Sequence, residues 1–359
     1  MTSEHDQPAV GVIAFDWGGT LMTNDPAQRG RMVDWPTVEA IPGAAEALGS
    51  LTGRYRLVVV TGAKESRAVH VLRALARVGL DGFFEAVFTA NEIGRSKRDP
   101  AFYPAVQSVL GLRGDQLLMV GDDPLSDAFM AHRAGWRTAW LNPASQPARA
   151  LRPVHDLDLL SLADLPAALG RPFLPDYETA LAWLIEEGAP ANLLAHVEGV
   201  AAAAYALACR LRARGVGLDP LLVDRGGLLH DIAKIPALLN RQNHGEMGAR
   251  RLLEREQPAL AEIARRHMLY CLEERDCPPR TWEEKLVYFA DKLVEGGALA
   301  SLEKRVEALA KRYPQERDRI LSMSPALMAL QAEISQAAGL SPDGLPAALK
   351  EDFFATSAG

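Results

Sequence analysis

The sequence predicts two folds in succession: a Rossmann-like α/β domain with a parallel sheet over residues 1–170, and an all-α domain over 171–359. Three observations carry that expectation. Between residue 10 and about 142, short β-branched runs alternate with helical patterns. A proline-rich passage, "RPFLPD", then interrupts the alternation near residue 171. Beyond it strand signals vanish while helical spacing persists. The length of 359 residues also exceeds what a single core usually organises.

The strand candidates of the first part are "VGVIAF", "RLVVV", "AVFTA", "LLMVG" and "RTAWL". Between them, "AAEALGSL", "AVHVLRALARVG", "AFYPAVQSVLG" and "DAFMAHRAG" keep helical spacing, and "LLSLADLPAALG" closes the domain. Strands separated by helices of this length form βαβ units, hence a parallel sheet covered on both faces. In the second part "YETALAWLIEEG", "NLLAHVEGVAAAAYALACRLRARG", "PLLVDRGGLLHDIAKI", "HGEMGARRLLERE", "ALAEIARRHMLYCLE" and "WEEKLVYFADKLVEGG" all fit helices. From about residue 300 a helical extension continues to "QAEISQAAGL" and weakens through "SPDGLP". No chemistry is legible in that extension; packing against the preceding helices or against the second copy of a homodimer is its expected role.

Composition narrows the class. Hydrophobic residues make up 48% and charged residues 24%, as in soluble globular proteins. A net charge of -7 argues against a surface built for nucleic acid or anionic lipid. Arg210, Arg212 and Arg214 alternate on a predicted helix, where a solvated face is expected. Cys209, Cys271 and Cys277 are too few for a disulfide framework and contain no C-x-x-C pair, which fits a reducing compartment. "MTSEHDQPAV" lacks the basic and apolar regions of a signal peptide, and "VAAAAYALAC" is expected to be too short to span a bilayer. A cytoplasmic protein without a membrane partner is the expectation.

In open parallel sheets ligands bind beyond the carboxyl ends of the strands. Four candidates fall there: Asp16 after the first strand, Thr61 after "RLVVV", Lys97 in "GRSKRDP", and Asp122, Asp123 and Asp127 after "LLMVG". A carboxylate nucleophile, a hydroxyl and an ammonium for phosphate oxygens, and acids for a hard cation suit Mg²⁺-assisted phosphoryl transfer. "FDWGGTL", "VVVTG", the lysine of "SKRDP" and "VGDDPLSD" resemble, in order, the four motifs of the haloacid dehalogenase-like (HAD) hydrolases over roughly residues 8–170. The resemblance implies a capless domain with Asp16 as nucleophile and Mg²⁺ ligand, Thr61 and Lys97 on the phosphoryl group, and Asp122 and Asp127 completing the metal site.

Gly18 departs from that pattern, because phosphatases of the family carry there a second aspartate that protonates the leaving group and then activates water. General acid–base help of this kind is worth about 10²–10⁴-fold, so weak or altered turnover is expected. A small residue at this position also resembles the "DWAGT" motif of phosphonoacetaldehyde hydrolases. Those need a Schiff-base lysine in a cap, and no lysine lies between Leu21 and Thr61.

The second part concentrates ligand-type residues. His196, His230, His244 and His267 are the four histidines after residue 171, Asp231 follows His230, and Asp291 sits in the apolar "LVYFADKLV". A carboxylate in so apolar a helix needs a cation or hydrogen bonds beside it. Imidazoles with carboxylates suit Mn, Fe, Co, Ni or Zn. The order H…HD…H…H…D resembles the HD-domain metal-dependent phosphohydrolases over about residues 176–300, and "LLHDIAK" with "EEKLVYFADKL" is similar to the HDIG-type branch. The resemblance implies His196, His230, Asp231 and Asp291 around one metal, His244 and His267 around a second with Asp231 bridging, and Lys234 placing positive charge near the phosphate. Symmetrical diadenosine tetraphosphatases and other nucleotide phosphohydrolases share this order, so a small phosphorylated or nucleotide substrate is expected. Two alternatives stand beside hydrolysis in the HD domain. The HAD-like domain could be the active phosphatase with the helices as lid or dimer platform, or the six ligands could serve a di-iron oxygenase.

Overall fold

The computed structural model describes residues 10–148, 152–295, 298–299, 302–312 and 314–354. They form two compact units: the residues up to Ala144 with Val154–Phe173, and Ser145–Pro153 with everything from Leu174 onward.

In the first unit β1 (Val12–Phe15), β2 (Arg56–Thr61), β3 (Ala86–Thr89), β4 (Leu117–Gly121), β5 (Arg137–Leu141) and β6 (Leu157–Leu159) make one sheet in the order β3-β2-β1-β4-β5-β6. Every neighbouring pair is parallel. β6 was not legible in the sequence, being only three residues long. Helices α1 (Ala44–Leu51), α2 (Ala68–Ala76), α3 (Ala90–Ile93), α4 (Phe102–Leu110), α5 (Met130–Arg133) and α6 (Leu165–Ala168) complete the unit. Successive strand residues point to opposite faces, so both faces are apolar. Ile13, Phe15, Leu57 and Val59 pack with Leu48 and Leu75 of α1 and α2. Val12, Ala14, Val58 and Val60 pack with Phe102, Val106 and Trp136 on the other face. The connection from Met22 to Gly43 contains one short 3₁₀ helix, Met32–Asp34, and no α-helix. β1 lies between β2 and β4, so the crossovers diverge there and leave a crevice at the strand ends.

The second unit comprises α7 (Tyr177–Glu186), α8 (Ala191–Ala213), α9 (Pro220–Leu229), α10 (Lys234–Asn240), α11 (His244–Leu253), α12 (Pro258–Arg266), α13 (Trp282–Asp291), α14 (Leu302–Arg312), α15 (Arg317–Ser322), α16 (Ser324–Ala338) and α17 (Leu345–Phe354). A two-residue antiparallel pair, β7 (Val294–Glu295) with β8 (Ala298–Leu299), is its one strand pairing among the described residues. Side-chain caps fix several starts: Asp219 precedes Pro220 at α9, Asn243 caps α11, and Thr281 with Glu284 forms a capping box at α13.

Two expectations are corrected by α8. At 23 residues it is long and apolar enough to cross a membrane, but 72% of that stretch is buried in the helical core. Arg212 is likewise not part of a solvated face; it is buried and donates from Nε to Ser145 Oγ at 2.6 Å.

Candidate functional site

Each unit gathers one cluster of ligand-type side chains. In the first, Asp16 follows β1, and its backbone N–H donates to Val120 of β4 at 2.8 Å, which fixes the carboxylate at the crevice. Lys97 Nζ lies 2.6 Å from Asp16 Oδ1 and 2.7 Å from Asp127 Oδ1, with all three residues buried. Asp127 approaches so closely because residue 121 is glycine: a Cβ there would stand 2.1 Å from Asp127 Oδ2. Asp123 is not in that group; its Oδ1 accepts from Leu125 N and Ser126 N and caps the turn that presents Asp127. Asp122 accepts from Thr20 Oγ1 at 3.1 Å.

Ligand oxygens of Asp16, Asp122 and Asp127 all lie within 4.8 Å of one another. Burial raises the pKa of Asp16 against the pull of Lys97. Burial likewise pushes Asp127 up to about 6, with Lys97 opposing and Asp16 adding. Burial would depress Lys97, but Asp127 and Asp16 outweigh it and hold the ammonium above its usual range. Three carboxylates around one ammonium leave an excess of negative charge that a hard divalent cation fits.

Thr61 lines the same cavity of about 710 Å³. So do Asn24, Arg31, Met32 and Trp35 from the 22–43 connection, which no spacing in the sequence announced. Gly18 opens onto this wall, where a Cβ would meet Met32 Cε at 3.5 Å and Asn24 Cγ at 3.8 Å. The position therefore accommodates a Cβ at ordinary contact distances.

The second cluster draws one residue or two from each of five places. His196 lies on α8, His230 and Asp231 end α9, His244 begins α11, His267 follows α12, and Asp291 ends α13. All but His196 and His244 are buried. His196 Nε2 is 3.0 Å from Asp291 Oδ1 and 3.9 Å from Asp231 Oδ2; His230 Nε2 is 3.5 Å from Asp231 Oδ2 and 3.6 Å from Asp291 Oδ1. His244 Nε2 and His267 Nε2 stand 3.3 Å and 3.4 Å from Asp231 Oδ1. Asp231 thus turns one oxygen to each pair of histidines.

Backbone carbonyls set two of the rings. His230 Nδ1 is 2.8 Å from Gly227 O and His267 Nδ1 is 2.6 Å from Ala264 O, so each Nδ1 carries the proton and each Nε2 faces the cluster with a lone pair. His230 Nε2 and Asp231 Oδ1 are buried without a hydrogen-bond partner. An unpartnered buried imidazole nitrogen beside an unpartnered carboxylate oxygen is the arrangement a metal ion fits.

The neighbouring charges act differently on the two rings: burial opposes a proton on His230, but Asp231 and Asp291 outweigh it and raise its pKa. Burial pushes His267 down to about 4, which keeps it neutral and able to ligate. Burial would raise Asp231, but His230, His244, His267 and Lys234 hold it well below the usual carboxylate range. Asp291 is held low against its burial by Lys292, His196 and His230. Lys234 Nζ lies 2.5 Å from Asp231 Oδ2. Lys292, not anticipated from sequence, pairs with Asp291 and donates to His267 O at 2.9 Å.

The comparisons find one family in each unit. A haloacid dehalogenase-like hydrolase family model matches residues 27–135, beginning after Asp16 and Gly18, and an HD-domain model matches 193–295. An uncharacterized protein of Methanocaldococcus jannaschii is 32% identical over 156 residues, covering 40% of this chain and 90% of the relative. The glyceraldehyde 3-phosphate phosphatase of Pyrococcus abyssi is 30% identical over 101 residues, 28% of this chain and 41% of that enzyme, so the chain spans less than half of the phosphatase. The crystal structure of an uncharacterized protein from Listeria monocytogenes serotype 4b, 23% identical, covers 44% of this chain and 96% of its own, with a TM-score of 0.41. The chain therefore contains a haloacid dehalogenase-like hydrolase domain in its N-terminal unit and an HD domain in its C-terminal unit.

Proposed function

We propose that this protein is a metal-dependent phosphohydrolase whose main activity resides in the HD unit and acts on a small phosphoester or nucleotide. The observation that carries it is the pinning of His230 and His267 by backbone carbonyls, with both Nε2 atoms turned to the two oxygens of Asp231. His196, His230, Asp231 and Asp291 would hold one divalent ion of the Mn, Fe, Co, Ni or Zn kind, and Asp231, His244 and His267 a second. Such ions supply Lewis acidity and a hydroxide at neutral pH, so the chain needs no nucleophile of its own here. Asp231 holds the two halves of the cluster in register, and Lys234 places a positive charge at its outer oxygen.

In the HAD-like unit Asp16, Asp122 and Asp127 would hold Mg²⁺, while Thr61 and Lys97 face a phosphoryl group and Asp16 is the nucleophile. No side chain at Gly18 offers a proton to the leaving group, so this unit turns over slowly. A second reading, the HAD-like unit as the working phosphatase, is favoured by the intact Lys97–Asp16–Asp127 group. Purified chain should be assayed with Mn²⁺, Fe²⁺, Co²⁺ and Mg²⁺ against a phosphoester and nucleotide panel. Asp231→Ala should abolish the dominant activity and Asp16→Asn should spare it; the reverse outcome establishes the second reading instead.

A further inference from the structure

The cavity over the HD cluster has a wall that the ligand residues do not supply. It measures about 360 Å³, and opposite Asp231, His244 and His267 it is lined by Arg312, Glu316, Arg319, Ile320 and Met323, from the end of α14 through the turn after α15. The C-terminal extension therefore forms one side of the cavity in which the proposed chemistry occurs.

That wall divides into an apolar floor and a cationic rim. Ile320 and Met323 are buried and face the cavity with Met268, Leu269 and Tyr270. Tyr270 is held in place: its hydroxyl accepts from Asn243 Nδ2, while Asn243 Oδ1 accepts from Gly245 N and Glu246 N at 2.9 and 3.2 Å at the start of α11. One asparagine thus ties the aromatic ring to the helix turn that carries His244. Above the ring, the Arg319 guanidinium stands 5.9 Å from the Tyr270 centroid.

Among the described residues each rim arginine pairs with an acid that is itself about half exposed. Arg312 lies 3.0 Å from Glu295 and Arg319 lies 3.4 Å from Glu274, with about half of each arginine side chain and 40–51% of each acid in solvent. Such pairs are worth little and exchange readily for a better anion. Lys234 and Lys292 differ, being committed to Asp231 and Asp291 inside the cluster. Among the described residues Glu316 is the carboxylate that lines the extension's side of the cavity.

We propose that Arg312 and Arg319 form a clamp for a second anionic group of the substrate, while its scissile phosphoryl group lies at the His/Asp cluster and its apolar or aromatic body rests on Tyr270, Ile320 and Met323. The inference rests on the HD unit being the hydrolytic site. It assigns the extension a role in selecting substrates that carry two separated negative charges over those with one. Arg and carboxylate or phosphate pair bidentately, so the clamp favours planar or tetrahedral oxyanions.

The test uses full-length Mn²⁺-loaded protein and isothermal titration with two probes, ADP and inorganic phosphate. Wild type should bind ADP at least tenfold more tightly than phosphate, and Arg312→Gln with Arg319→Gln should lower that ratio at least tenfold. Tyr270→Ala should lower it further, whereas Tyr270→Phe should restore the aromatic part. A wild type that binds both probes equally, or a ratio unchanged in the double arginine variant, overturns the clamp. Thermal melting of each variant separates loss of the clamp from loss of fold. If Asp231→Ala spares hydrolysis while the arginines still set the ADP-to-phosphate ratio, the hydrolytic reading falls and the clamp stands.

Discussion

Gly227 lies where α9 crosses α8, and the crossing leaves no space for a methyl group. A Cβ at this position would stand 2.5 Å from Ala201 Cα and 2.9 Å from Ala201 N. Both are backbone atoms, so no side chain can swing aside. Carbon atoms pack at about 3.5–4.0 Å, so Gly227→Ala must part the helices by roughly 1 Å. α8 carries His196, α9 ends at His230 and Asp231, and the Gly227 carbonyl itself accepts from His230 Nδ1. Overpacking of this kind costs about 1–3 kcal/mol, offset by about 1 kcal/mol of helix propensity gained over glycine. Losing the ring's orientation should weaken metal binding about 10–100-fold. Gly248→Ala on α11 is the matched control, because its Cβ would meet Ile232 Cγ2 at 3.4 Å, an ordinary contact. Calorimetric titration of Mn²⁺ into chelated protein, with thermal melting, reads both effects. Gly227→Ala binding metal as tightly as wild type and melting no lower than Gly248→Ala would refute the reasoning.

Three further outcomes follow from the same geometry. Gly18→Asp places its Cβ in ordinary contact with Met32 and Asn24 and should raise Mg²⁺-dependent hydrolysis of para-nitrophenyl phosphate about a hundredfold or more, on the 10²–10⁴-fold scale of acid–base help; a flat rate means the HAD-like unit lacks more than one group. Lys97→Met strands the buried carboxylates of Asp16 and Asp127 and should cost about 3–5 kcal/mol in urea unfolding followed by tryptophan fluorescence. A cost below about 1 kcal/mol would show that the ion-pair group is not structurally coupled. Mn²⁺ at a hundredfold excess over its dissociation constant should stabilise the HD unit by about 2.7 kcal/mol. Asp231→Ala should abolish that gain, and an equal gain in the variant would mean the ion binds elsewhere.

The chemistry-bearing residues were legible where the fold aligns them by a simple rule. Parallel strands end on one edge, so Asp16, Thr61 and Asp122 could be placed together from the ends of "VGVIAF", "RLVVV" and "LLMVG". The set from His196 to Asp291 was legible through its resemblance to the HD-domain order, and the folded chain brings these side chains together. What the sequence hid depends on packing between distant segments. Arg212 looked solvated on its helix, but the return of the chain through Ser145 buries it. Arg312 and Arg319 have no motif, and only the packing of the C-terminal helices brings them to the cavity of His244 and His267. Asn24 and Met32 face Gly18 by the path of a connection without periodicity. Lys97, expected on a phosphoryl group, also proves to be the direct ion-pair partner of Asp16 and Asp127.

The central claim is a hydrolytic site at the HD cluster built for two ions. Metal-free Asp16→Asn protein, titrated with Mn²⁺ while phosphoester or nucleotide hydrolysis is followed, tests it most directly. Activity should rise with metal, saturate near two equivalents per chain, and vanish at every ratio once His230→Ala is added. Saturation with no dependence on His230, or no activity at any metal ratio while the Asp16 protein is active, would contradict it.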